Sequence, residues 1–400
     1  MENIFLVAAF WFLAAVLSTA LASRLKISIA LMEIVVGCVI GLAAFQLGFF
    51  DRLSLQADWM KFCTGLGAML LTFLAGAELN PDVMKTKITE VSVIGLVGFA
   101  APFIGCTAIA HFLIGWNLQA SLLCGIALST TSMAVVYAVM IEYGFNKTEF
   151  GKGILGACFV NDLGTVIALG LIFAPFTYKT LVFVGATIVL IFSLRPMTDY
   201  LIRRYAHKTA AIRAKWILFI LLIMGVLALW SGSEPVLPAY VLGMVLSRTM
   251  EKDGHFVRRL RTLTVGFLTP LYFLRAGALV SIPALFSGAF IFLLLLGGKV
   301  ASKIFGLYPA IRRFREDRKE KWYYTLLMST GLTFGTISAL YGLSHQIITQ
   351  AQYSLIVGAV IASAVIPTLI ANKFFLPAHL LEKPLLDDQA PDEKDIQNRL

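Results

Sequence analysis

The stretch Gly151–Ala174 reads GKGILGACFVNDLGTVIALGLIFA. Between Lys152 and Pro175 its only ionisable groups are Cys158 and Asp162, and the thiol is expected to stay neutral. A helix needs about 20 apolar residues to cross the hydrocarbon core, and this run has that length. Its midpoint falls near Leu163, which places Asp162 close to the bilayer centre. A carboxylate costs roughly 2.5–3.5 kcal/mol there on insertion scales unless it is paired, hydrated or protonated. Asp162 is therefore the first candidate functional group. The competing reading is a structural Asp tied to a neighbouring helix.

The rest of the chain supports a membrane setting. Hydrophobic residues make up 58% of it, charged residues 14%, and the mean hydropathy is +0.83, outside the range of soluble domains. Apolar runs recur without a period of two, which argues against a transmembrane barrel. The net charge of +10 is explained by basic loops, so no nucleic-acid partner is expected. Cys38, Cys63, Cys106, Cys124 and Cys158 all fall in apolar runs without metal-ligand spacing and read as packing residues. No nucleophile–base spacing or metal cluster suggests an enzyme. Ala20-Leu21-Ala22 imitates a signal-peptidase site, but MENIFL carries Glu2 and no basic residue, so an uncleaved first helix is expected.

The apolar pattern gives thirteen spans, near 4–22, 28–50, 59–77, 91–114, 118–141, 152–174, 177–195, 215–232, 235–250, 262–281, 284–308, 322–343 and 352–375. Of the 33 Lys and Arg residues, only Arg52, Lys61 and Lys179 fall in the loops of one side; Arg275, Lys299 and Lys303 fall within spans. All the others gather on the opposite side. This asymmetry puts the amino terminus outside and the carboxyl terminus in the cytoplasm. A multi-pass protein of the cell (inner) membrane is expected. Residues 377–400 read as a short charged cytoplasmic tail, with no soluble regulatory domain in this chain.

Two pairs of segments match at a shift of 200 residues. Phe73-Leu74 and Phe273-Leu274 open FLAGAEL and FLRAGAL; Leu128-Ser129-Thr130 and Met328-Ser329-Thr330 open LSTTSMAVVYAVMIEYG and MSTGLTFGTISALYG. The paired spans differ by seven, an odd number, so the two halves run oppositely through the membrane. Inverted repeats of this kind belong to secondary transporters. Spans 5 and 12 share a polar interruption, Ser129-Thr130-Thr131-Ser132 in one and Ser329, Thr330, Gly331, Thr333 and Gly335 in the other. Such helices can unwind at mid-depth and present carbonyl oxygens and opposed half-helix dipoles to an ion. The alternative is that the hydroxyls bond back to their own helix and merely bend it.

These crossover segments, the Asn161–Asp162 pair and a lysine in span 11 resemble the monovalent cation:proton antiporter superfamily, and within it the second branch, the Kef- and Nap-type sodium or potassium/proton exchangers. FLAGAELNP (73–81), TPLYFLRAGALVS (269–281) and GLTFGTISALYGL (331–343) add to the likeness. The resemblance implies an all-α fold of about 13 transmembrane helices with two broken crossing helices. It implies a core of spans about 91–174 and 284–375 moving against a dimer domain of spans about 4–80 and 215–281, with a linker span near 177–195. Asp162 matches the family's ion- and proton-binding carboxylate. Asn161 matches a position held by Asp in electrogenic members and by Asn in many electroneutral ones. Lys299 matches the core lysine that pairs with that first Asp where it is present. Glutathione-gated members carry a soluble nucleotide-binding domain that this chain lacks.

The expected function is exchange of a monovalent cation, Na⁺ with Li⁺ or K⁺ as alternatives, for protons by alternating access. Proton and cation compete for Asp162, and one-for-one, electroneutral exchange follows from a single acid. Competing readings are a cation channel or sensor on the same fold and a sodium-coupled organic-solute symporter. Oxygen ligands for the cation would come from Asp162, Asn161 (or Asn161 would give structural support), Thr130 and the broken-helix carbonyls, with Thr131 and Ser132 as weaker candidates and Lys299, Thr330 and Thr333 supporting the core. No cofactor is expected beyond the transported ions; the expected partners are membrane lipid and a second copy of the chain. Lys303 is expected to snorkel to the interface, and Glu33 to be interfacial. Glu78 and Arg275, near matching repeat positions (a shift of 197 rather than 200), are a candidate structural ion pair, with an interfacial Glu78 as the alternative. His111 and His345 read as surface histidines.

Overall fold

The computed structural model describes residues 4–25, 28–77, 87–143, 145, 148–173, 177–205, 212–231, 235–251 and 254–380; among them it is helical and has no strand. In chain order the helices are α1 (Ile4–Leu25), α2 (Ile29–Gln46), α3 (Asp58–Ala77), α4 (Ile88–Ala108, prolonged by a π turn at Ile109–Leu113), α5 (Leu118–Ser129), α6 (Met133–Glu142), α7 (Glu149–Phe173), α8 (Tyr178–Tyr205) and α9 (Ile212–Ser231). They continue as α10 (Val236–Glu251), α11 (Gly254–Leu263, prolonged by a π turn at Thr264–Leu268), α12 (Thr269–Ala278), α13 (Ile282–Ser287), α14 (Ala289–Ile311), α15 (Arg318–Met328), α16 (Thr333–Ser344) and α17 (Gln350–Phe374). Among the described residues, ten stretches are long and apolar enough to cross a membrane: α1–α4, α7–α9, α14, α15 with α16, and α17. Three further helical stretches, α5–α6, α10 and α11–α12, fall where the sequence reading put spans 5, 9 and 10.

The helices pack in two groups. In one, α2 lies on α12, α3 on α10 and α12, and α1 on α2. In the other, α4 lies against α5, α7 and α14, and α17 packs against α14, α15 and α16. Lipid offers no hydrophobic drive for helix association, so close contact between small residues has to supply it. Gly37 and Gly41, one turn apart on α2, meet the α12 backbone at Leu274 and Ala278, and Gly277 of α12 meets the Ile34 carbonyl in return. A Cβ at any of the three would enter the opposing backbone. Gly76 of α3 and Gly243 of α10 make the same exchange against Tyr240 and Phe73.

Leu181, Val189 and Phe192 of α8 are two-thirds or more exposed, as expected for a face that meets lipid tails. The aromatic residue Tyr240 joins the two groups. Its ring stacks on Phe159 of α7 at 5.2 Å, and its hydroxyl donates to the Phe159 carbonyl at 2.9 Å.

Candidate ion-binding site

The site begins with two short helices that start alike and stop in mid-fold. The side chain of Asn117 caps α5, its Oδ1 accepting from the Ala120 N–H at 2.8 Å. Asp317 caps α15, accepting from the N–H groups of Lys319 and Glu320 at 2.8 and 3.0 Å. Those N–H bonds hold the Asp317 carboxyl below its ordinary pKa, the Glu320 contact being the largest cause. Near the end of each helix, hydroxyls turn back onto carbonyls: Ser129 to Ile126 (2.8 Å), Thr130 to Ala127 (3.0 Å), Ser329 to Thr325 (2.7 Å) and Thr330 to Leu327 (2.7 Å). Hydroxyl back-bonding and an unwound break, which the sequence offered as alternatives, occur together. Thr130 then leaves the helix in extended conformation, and the chain resumes as α6 at Met133. The second break covers 329–332, before α16.

The two breaks touch. Ser132 N–H donates to the Thr330 carbonyl at 3.2 Å, and Thr131 Oγ1 donates to the Met328 carbonyl at 2.8 Å. Freed backbone groups at this depth need such partners, because lipid supplies none. Asn161 of α7 completes the arrangement. Its Oδ1 accepts from the Thr131 N–H at 2.9 Å and its Nδ2 donates to the Ser129 carbonyl at 3.3 Å. The amide thus bridges both sides of the first break.

Asp162, next along α7, is 1% exposed. Among the described residues neither of its oxygens has a hydrogen-bond partner. The reading of Asp162 as a structural group tied to a neighbouring helix therefore finds no bond to support it. Burial without a hydrogen-bond partner disfavours a bare carboxylate.

Both span-11 lysines turn inward. Lys299 Nζ donates to the Thr130 carbonyl at 3.3 Å, and Lys303 Nζ to Thr131 Oγ1 at 3.0 Å; each is fully buried. The expectation that Lys303 snorkels is corrected. The buried face of α14 carries Leu295, Lys299, Lys303, Leu307 and Ile311, a strict every-fourth stripe in which the two lysines occupy core positions. That spacing was present in the sequence. Glu33 is likewise enclosed by protein, at 2% exposure in α2, rather than facing the interface.

Thr130, Thr131, Ser132 and Thr330 are all fully buried at the crossing. The residue after Thr330 is Gly331, where a Cβ would meet Lys299 Nζ. Thr333 opens α16 and is half-buried, beyond the crossing bonds. Glu78 lies outside the described residues. Arg275 donates from Nε to the Leu55 carbonyl at 2.8 Å and from Nη1 to Thr64 Oγ1 at 3.4 Å. His111 and His345 bond backbone carbonyls, Trp116 and Tyr341 respectively, each at 3.0 Å.

A buried acid beside two crossed, broken helices is an arrangement suited to a membrane carrier for a small cation. Residues 12–374 match the family model described as sodium/hydrogen exchanger, transmembrane, and the chain belongs to that family. It is 25% identical over 350 residues to a probable Na⁺/H⁺ antiporter 3 of Methanocaldococcus jannaschii, covering 84% of this chain and 89% of that protein. The Na⁺/H⁺ antiporter NhaS4 of Synechocystis sp. is 22% identical over 380 residues, covering 87% and 91%. Among solved structures, the sodium proton antiporter MjNhaP1 from Methanocaldococcus jannaschii at pH 8 superposes with a TM-score of 0.71 over 95% of this chain and 99% of that one, at 16% identity. The fold is thus that of a sodium/proton antiporter, and the protein is a membrane transporter rather than an enzyme.

Proposed function

We propose that this exchanger moves Na⁺ against protons by alternating access, with the two cargoes competing for Asp162. The observation that carries this is the pair of unpartnered Asp162 oxygens buried beside the crossing. The group takes one charge partner at a time. An empty, anionic carrier would have to move a bare charge through a low-dielectric barrier, so crossings are made loaded. Antiport follows from that competition alone.

The ligand assignment narrows against the sequence reading. The Asn161 Oδ1 is engaged by the Thr131 N–H, and the Thr131 hydroxyl lies between Lys303 and the Met328 carbonyl. Both serve best as struts of the crossing. Asp162 is left as the principal ligand, with backbone carbonyls of the breaks and Ser132 as further oxygen sources. One acid at the cation path supports one-for-one exchange.

As to branch, the M. jannaschii and Synechocystis relatives and the MjNhaP1 likeness support an Nha-type sodium exchanger over the Kef/Nap-type expected from the sequence. We further assign thirteen spans in an inverted repeat, an outside amino terminus, and a homodimer formed through the α1–α3 and α9–α12 group. The positive-inside asymmetry and the division of packing into two groups support this layout.

The test is cation-dependent proton movement in reconstituted vesicles, comparing Na⁺, Li⁺ and K⁺. Na⁺-driven proton release at zero imposed potential is expected. Proton movement driven by potential alone under matched ion gradients would overturn the one-for-one assignment, and cation flux without proton flux would overturn antiport.

A further inference from the structure

A cavity of about 760 Å³ lies away from the crossing, walled by α3, α9, α12 and α16. Its chemistry is two-sided. One part is basic: Lys61, Arg275 and His345 line it, and no Asp or Glu is among its described lining residues. The other part is apolar, with Leu222, Val226 and Leu229 of α9, which are 40%, 64% and 68% exposed and so face the lipid tails as well.

Arg275 is the informative group. It is 6% exposed, its described bonds go to a neutral carbonyl and a neutral hydroxyl, and no described acid lies within ion-pair range of it. A buried cation without a counter-charge is costly, and guanidinium presents a planar fork suited to phosphate or carboxylate. Arg275 grips α3 at Thr64. Thr64 is six residues from the start of α3 at Asp58, about 9 Å of rise. The loop charges assign that end of α3 to the outer side. Arg275 therefore meets α3 within two turns of its outer end, in reach of a headgroup that dips between the helices.

We propose that this cavity is a binding site for an acidic membrane lipid: Arg275 and Lys61 hold the anionic headgroup, and an acyl chain lies along the exposed face of α9. A basic wall repels Na⁺, so the cavity is ill suited as a vestibule for the cargo. Its occupant touches α3, α9 and α12 on one side and α16, the continuation of the second break, on the other. A bound lipid thereby ties the broken helix to the neighbouring helix group.

The experiment measures thermal stability and native mass spectra of the detergent-purified full chain with phosphatidylglycerol, phosphatidylcholine or inorganic phosphate added. Phosphatidylglycerol is expected to raise the melting temperature saturably and to remain bound in the spectra; the other two are not. Arg275→Met should weaken phosphatidylglycerol binding by about tenfold or more, the range for a lost charge-assisted hydrogen bond. Lys61→Gln, at an exposed position that leaves the fold intact, should weaken it by a smaller factor. Asp162→Asn should leave it unchanged, which separates this site from the exchange site. The proposal fails if phosphatidylcholine or free phosphate gives the same shift. It also fails if Lys61→Gln and a folded Arg275→Met both bind phosphatidylglycerol like the parent.

Discussion

The first break, at Thr130–Ser132, and the second, at 329–332, are related in sequence but are held by different means. The first is gripped from outside its own helix: Asn161 bonds both its sides, and Lys299 and Lys303 donate to consecutive residues of it. The second receives Ser132 N–H on the Thr330 carbonyl, the Thr131 hydroxyl donates just before it to Met328 at the end of α15, and its own hydroxyls bond back within α15. No described charged side chain donates to the second break. Its glycine, Gly331, instead leaves the room that Lys299 Nζ fills. Two similar peptide breaks thus become one polar, charge-braced element and one compact element that seats it. Asp162 directly follows Asn161, the residue that braces the first break, so the proposed exchange chemistry falls on that side.

The largest expected effect tests whether the braced side carries the function. Asp162→Asn should reduce Na⁺-driven proton flux to the level of protein-free vesicles, while the purified protein elutes as a folded species. Exchange near the parent rate would break the comparison at its centre.

Asn161→Ala comes next. It leaves the buried Thr131 N–H and Ser129 carbonyl without their side-chain partner, at about 1–3 kcal/mol for each group left unsatisfied. Lower thermal stability together with reduced exchange is expected. A parent-like melting temperature would mean that the first break does not depend on this brace.

A smaller effect distinguishes a direct role for Lys303 from one exerted through Thr131. The variants Lys303→Met, Thr131→Val and their combination form a cycle, read as apparent Na⁺ affinity and stability. Non-additivity of about 0.5–3 kcal/mol is expected for contacting groups. Additive effects would show that the 3.0 Å contact does not link them.

The smallest effect concerns the compact side. Asp317→Ala removes the cap of α15, about 0.5–2 kcal/mol by analogy with other caps. Because the folded carboxyl is held below its ordinary pKa, the cap contributes above the unfolded Asp value. That contribution is lost as pH falls through the folded value. A stability-versus-pH comparison should therefore show parent and variant converging at strongly acid pH, with the gap restored at neutral pH.

Much of this was legible in the chain itself. Long apolar runs broken by basic loops require helices in lipid, because only internal hydrogen bonding satisfies a backbone there. Asp162 stood out because its neighbours are apolar, and the Ser/Thr/Gly interruptions marked both breaks. The stripe at 295, 299, 303, 307 and 311 is equally legible, and the face it marks, rather than depth along the helix, decides that Lys303 turns inward. Only tertiary structure decided what each polar group touches. It made Asn161 a brace, placed the Thr131 hydroxyl between an amine and a carbonyl, left the Asp162 oxygens unpartnered, and set Arg275 in a cavity. Sequence reports a residue's periodicity and cost of burial, which are local properties. Whether that cost is met depends on groups such as Thr131 and Met328, 197 residues apart, which only the packed fold brings within 2.8 Å.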